Sequence, residues 1–193
     1  MKKKIFALAV IAICLSILAS ASMAYYVSEG TAYNVITSSG VSIAVEEWQA
    51  ENDQYVPYPE EKIKIMPGAE VSKVVTLRNL QAQCYVRAAY EIVMVNEAGE
   101  ELDFDENLVT VIMGSEKWQK KTGDDYYWYY TDELSVNDAT EPFITRVVFD
   151  GPSMTNEYQG AGIEVKILAE AVQAANNGDS WLEAEGWPVP AEE

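Results

Sequence analysis

Strict alternation of apolar and polar residues constrains this chain most. Val86, Ala88, Tyr90, Ile92 and Met94 fall at every second position, with Arg87 and Glu91 between them. Phe143, Thr145, Val147 and Phe149 repeat the pattern, as do Ile163, Val165, Ile167, Ala169 and Ala171 against Glu164, Lys166 and Glu170. A period of two puts one set of side chains on each face of an extended strand. Val41, Ile43 and Val45 alternate too, while Val71 to Asn79 and Leu108 to Met113 read as strands from their β-branched content. Pro67-Gly68, the stretch from Asn96 to Glu100 and Asp150-Gly151-Pro152 are turn signals between them. A helical period is confined to the short stretch Ala169 to Ala175. The expected fold is therefore all-β, an antiparallel β-sandwich over residues 41–175. Periodicity leaves jelly-roll and immunoglobulin-like connections equally open. The tail, 176–193, carries Trp181 and Trp187 and is expected to pack back on the sandwich.

The N-terminus reads differently. Lys2, Lys3 and Lys4 precede an uncharged, mostly apolar run from Ile5 to Leu18, followed by the small residues Ala19, Ser20, Ala21 and Ser22. This is the pattern of a secretory signal peptide, 1–24, cleaved between Ala24 and Tyr25 or after Ala21. The apolar run is shorter than the roughly 20 residues a membrane span needs, so the processed chain is expected to keep no stable membrane anchor. Cys14 follows Ile13 within that run, where lipid attachment would require a small residue. Signal peptidase is the partner this segment implies, and secretion to the cell surface or extracellular space is the expected destination.

With 31 acidic against 13 basic side chains, the net charge is −18. Such a surface repels nucleic acid and anionic lipid. After cleavage Cys84 is the only cysteine, so no intrachain disulfide can form. It reads as a buried, inert thiol, with an intermolecular bridge as the alternative. There is no histidine, which excludes Ser-His-Asp and Cys-His nucleophilic sites and histidine-ligated zinc. Carboxylates are plentiful but define no catalytic pair, and the expectation is that the protein is not an enzyme and has no cofactor. Asp103, Asp105 and Asn107 resemble the start of a calcium loop, yet Leu108 and Gly114 stand where glycine and glutamate belong. A solvated turn is the expected reading, with a looser calcium site there as the alternative.

The run Tyr126-Tyr127-Trp128-Tyr129-Tyr130 places Tyr127 and Tyr129 on one face of a strand and its other aromatics on the opposite one. One reading is a central strand covered on both sides. The other exposes Tyr127 and Tyr129 as a contact platform for a glycan or a neighbouring protein.

Beyond these readings, Ala24-Tyr25-Tyr26, Asn34-Val35-Ile36-Thr37, Gly40-Val41-Ser42-Ile43, Met66-Pro67-Gly68 and Tyr85-Val86-Arg87 resemble the TasA/camelysin-like family of exported Gram-positive proteins with SipW-dependent signal peptides. Asp125 to Tyr130 and Asn156-Glu157-Tyr158-Gln159-Gly160 are similar to that family as well. The resemblance implies a jelly-roll-like sandwich and a structural role in biofilm matrix or surface fibres, with self-association or other matrix proteins as partners. It further implies assembly through the N-terminal segment, 25–40, as a donor strand. Val27, Tyr33, Val35 and Ile36 give that segment β character; pairing within its own domain is the competing arrangement. Camelysin-like members are described as metalloproteases, an activity that a chain without histidine does not inherit readily.

Overall fold

The computed structural model describes residues 34–37, 40–52, 54–59, 63–64, 67–96, 98–154, 158 and 161–188. They form two packed β-sheets. Sheet A contains β1 (Asn34–Thr37), β4 (Ile63–Lys64), β6 (Cys84–Val95), β7 (Glu101–Leu102), β9 (Trp118–Lys121), β10 (Asp124–Tyr130) and β12 (Gly162–Gln173). Sheet B contains β2 (Ile43–Glu51), β3 (Gln54–Pro57), β5 (Glu70–Asn79), β8 (Val109–Met113) and β11 (Ile144–Phe149). The order in sheet A is β1–β12–β6–β10–β9, with β4 added to β12 and β7 to β6; in sheet B it is β3–β2–β5–β11–β8. From β5 onward the chain crosses between sheets after β5, β7, β8, β10 and β11. Each crossing closes the sandwich over one more strand. All strand pairings are antiparallel except that of β1 with β12.

Two of the alternating segments became the longest strands, β6 and β12. Along their full lengths β6 and β12 pair with each other, from Cys84↔Gln173 to Val95↔Gly162. Val86, Ala88 and Met94 of β6 and Ile163, Val165, Ile167, Ala169 and Ala171 of β12 turn inward. They meet Val75, Leu77, Ile144, Val147 and Phe149 of sheet B. Phe143 and Trp118 close one end with ring centroids 4.7 Å apart, and the Trp118 indole donates to the Glu141 carbonyl at 3.0 Å. Each fully buried aliphatic or aromatic side chain contributes about 1.5–3 kcal/mol. A core of this size holds the fold without a cross-link.

Two segments without apolar alternation also form strands, and β12 extends beyond its alternating residues. The acidic, proline-marked stretch after Glu51 contains β3, which folds back on β2 through a turn at Asn52 with φ 49°. The polar link from Gly114 to Asp125 contains β9, joined to β10 through Gly123 at φ 86°. Its polar side chains are the solvent face of an edge strand. The alternating residues 163–171 form β12, which runs on to Gln173 because β6 offers a partner for every residue. Tertiary pairing overrides the helical preference of the alanines.

Candidate functional site

The outer face of sheet A gathers both described ends of the chain. Arg87 of β6 and Glu170 of β12 are direct cross-strand partners. Both sit at polar positions of their alternation, so both project away from the core. Both are buried all the same: Glu170 is 0% exposed and Arg87 8%. Arg87 Nε donates to Glu170 Oε2 at 2.6 Å, and its terminal nitrogens reach the Tyr129 hydroxyl oxygen at 3.0 Å and the Pro188 carbonyl at 3.2 Å. Tyr127 donates its hydroxyl proton to Glu170 Oε1 at 2.8 Å, and Tyr129 donates to Asp124 Oδ2 at 2.6 Å. The guanidinium lies 3.8 Å from the Tyr127 ring centroid and 4.8 Å from that of Trp187. A buried cation thus finds an anion, hydroxyl and carbonyl acceptors, and two π faces.

The tail makes this burial happen. Beyond β12, Trp181 and Trp187 pack on Tyr85, Val172, Ala89, Tyr127, Tyr129 and Leu168. Asn177 ties the strap to itself, donating to the carbonyls of Gln173 and Glu185 and accepting from the Glu185 amide. The strap therefore closes a second, smaller core on the sheet's outer face.

Of the two readings of Tyr127 and Tyr129, the open platform is corrected: they are 5% and 3% exposed. Their strand is covered on both faces, by the sandwich core under Trp128 and Tyr130 and by the strap over Tyr127 and Tyr129. The exposed aromatic of the run is Tyr126, at 57%. It lies where the β9–β10 register shifts, and Asp124 holds that irregularity by accepting from the amides of Tyr126 and Tyr127 at 3.0 Å each. Burial alone would raise the Asp124 carboxyl pKa. Hydrogen bonds from Tyr129 and those two amides, with the Arg87 charge, hold it below its ordinary value. Burial raises Tyr127 and Tyr129, and their bonds to Glu170 and Asp124 add to the rise.

The N-terminal strand occupies the edge beside this network. β1 runs parallel to β12, with Asn34 opposite Leu168, Val35 opposite Ala169, Ile36 opposite Glu170 and Thr37 opposite Ala171. Val35 and Ile36 therefore belong to a strand paired within the same chain. Val27, Tyr33, Ala24 and Tyr25 lie outside the described residues.

In the acidic loop, Asp105 caps the short 3-10 turn Glu106–Leu108, accepting from the Asn107 amide at 3.0 Å and its side-chain nitrogen at 2.7 Å. Asp105 Oδ1 is thereby engaged in a local turn, as Asx geometry provides. Among the described residues no three acidic or cysteine side chains are grouped to share a metal ion. Cys84 is 0% exposed, its thiol pKa pushed up by burial to about 12. An intermolecular bridge from that position is incompatible with the folded sandwich.

Arg87, Glu170 and Asp124 were not singled out by sequence reasoning. Alternation does put Arg87 and Glu170 on the faces opposite their apolar neighbours; only the β6–β12 register brings them together. Searches against family models, curated proteins and solved structures find no match for this chain, and the site stands on its geometry.

Proposed function

We propose that this protein is a secreted, non-enzymatic structural subunit of an extracellular matrix or surface fibre, assembling by exchange of its N-terminal strand. The observation that carries this reading is β1: four residues, parallel, at the edge of an otherwise antiparallel sheet. Parallel pairing is slightly weaker per residue than antiparallel, and a short edge strand is held by few neighbours. Withdrawing β1 uncovers the main-chain edge of Leu168 to Ala171 on β12. An open edge is a template for another strand, and the same segment from a neighbouring copy satisfies the same main-chain groups. Exchange of an identical element is a low-cost route to assembly.

The resemblance in the N-terminal residues and the basic, apolar leader support the same reading, placing the segment next to the expected cleavage point. Pairing within the chain then describes the free subunit, and pairing between chains the fibre. The test is negative-stain electron microscopy of processed protein beside a variant lacking residues 25–38. Filaments from the first and none from the second are expected. Absence of filaments from processed protein across pH, salt and concentration sinks the proposal, as does equal assembly by the truncated variant.

A further inference from the structure

We infer that the outer face of sheet B carries a binding cleft for a short, uncharged oligosaccharide. The cleft arises where two strands depart from regular pairing at the same level. The β2–β5 ladder runs from Ile43↔Asn79 to Trp48↔Val74 and then opens. Beyond it the Ala50 amide donates not to a main-chain carbonyl but to Ser72 Oγ, at 2.9 Å. On the other side of β5, the β11 pairing shifts register between Ile144 and Arg146. Such irregularities re-aim side chains, and here they bring Thr145 and Arg146 to the cavity wall. The resulting space measures about 380 Å³, within the range of small-molecule sites and at its lower end.

Its chemistry fits a sugar. Tyr55 lines the cavity while 56% exposed, so its ring is accessible from solvent. It faces Ala50 across the β2–β3 pair, so the small alanine leaves open space before the ring. An aromatic face beside open space suits the C–H face of a pyranose, and its hydroxyl remains wet. Ser72 uses its oxygen as an acceptor from Ala50, leaving its O–H to donate. Thr145 does the reverse: its hydroxyl donates to the Ile112 carbonyl at 3.2 Å, leaving lone pairs to accept. Donor and acceptor on one wall match the vicinal hydroxyls of a saccharide. Arg146 Nε lies 3.1 Å from Glu70 Oε1, both about half exposed, so that wall offers paired charges without a net one. The chain's −18 charge adds repulsion against acidic sugars. The cleft is independent of the assembly reading, since it lies on the other sheet from the β1 edge.

The test is an array of neutral and uronate-containing oligosaccharides probed with the full processed protein, followed by calorimetric titration of each bound neutral sugar. Saturable binding of at least one neutral oligosaccharide is expected, weakened tenfold or more by Tyr55→Ala. Ala50→Phe fills the space before the ring and should abolish binding with Tyr55 retained, while Tyr126→Ala, the exposed aromatic on the other sheet, leaves it unchanged. Melting temperatures within a degree or two of wild type confirm that the variants are folded. The inference is overturned if no neutral sugar binds, if uronates bind in preference, or if Tyr55→Ala and Ala50→Phe bind as wild type does.

Discussion

Truncating Glu170 to alanine tests the buried network most directly. Its carboxylate, 0% exposed, accepts from Arg87 at 2.6 Å and from Tyr127 at 2.8 Å. Removal leaves a guanidinium under the strap whose nearest remaining carboxylate is Asp124, 3.7 Å away, and a phenol with no acceptor. Breaking one side of a buried ion pair costs about 3–5 kcal/mol, chiefly through the stranded charge. At about 2–4 °C per kcal/mol for a domain of this size, melting should fall by roughly 6–20 °C. Replacing both partners, Arg87→Met with Glu170→Leu, removes the stranded charge with its counter-ion and fills the space with apolar volume. Such replacements are often neutral or stabilising by about 1–4 kcal/mol relative to the pair. The double variant should therefore lose less stability than either single variant, although the Tyr127 hydroxyl still loses its acceptor. Urea denaturation of wild type, Arg87→Met, Glu170→Leu and the double variant, with unchanged m-values confirming a common transition, yields the coupling energy, and Glu170→Ala is measured beside them. A double-variant loss equal to the sum of the singles refutes the argument. So does a Glu170→Ala loss below about 1 kcal/mol, because a group that stabilises so little is not a buried counter-ion.

Cys84, buried with its thiol pKa pushed to about 12, should resist iodoacetamide in native protein and react promptly in denaturant; mass spectrometry reads both, and rapid native labelling contradicts the burial. Alkaline titration should weaken the fold as pH rises through about 10, the ordinary tyrosine pKa, towards 12. Burial and then the Glu47 charge raise Tyr58 to about 12, while burial and then carboxylate bonds raise Tyr127 and Tyr129. The folded chain thus holds protons that the unfolded chain releases in that window, and linkage makes the unfolded state gain there. Melting temperature followed with tyrosinate absorbance checks this; a flat profile between pH 9 and about 12 counts against it.

How much of this was legible beforehand follows from where the information resides. β6, β11 and β12 announce themselves because half-buried strands imprint a period of two on their residues. β3 and β9 do not, since an edge strand exposes both its backbone and its polar side chains, and Gln54 or Lys120 looks the same in a loop. The direction of Tyr127 and Tyr129 could be read from parity. Their burial could not, because it depends on Trp181 and Trp187 returning from the tail. Arg87 and Glu170 were marked only as polar members of alternating strands, and pairing them required a register that no single segment encodes. β1 is the extreme case, four residues whose partner lies near the far end of the chain.

That distance governs when the sheet edge comes into being. Synthesis delivers Asn34–Thr37 long before Leu168–Ala171, the residues they pair with, and β12 is the final strand described. Until β12 is made, the early segment lacks the partner it has in the finished fold, and chains that stop short of β12 lack Glu170 as well. Only a molecule synthesised past Ala171 carries the main-chain edge on which Asn34–Thr37 lie.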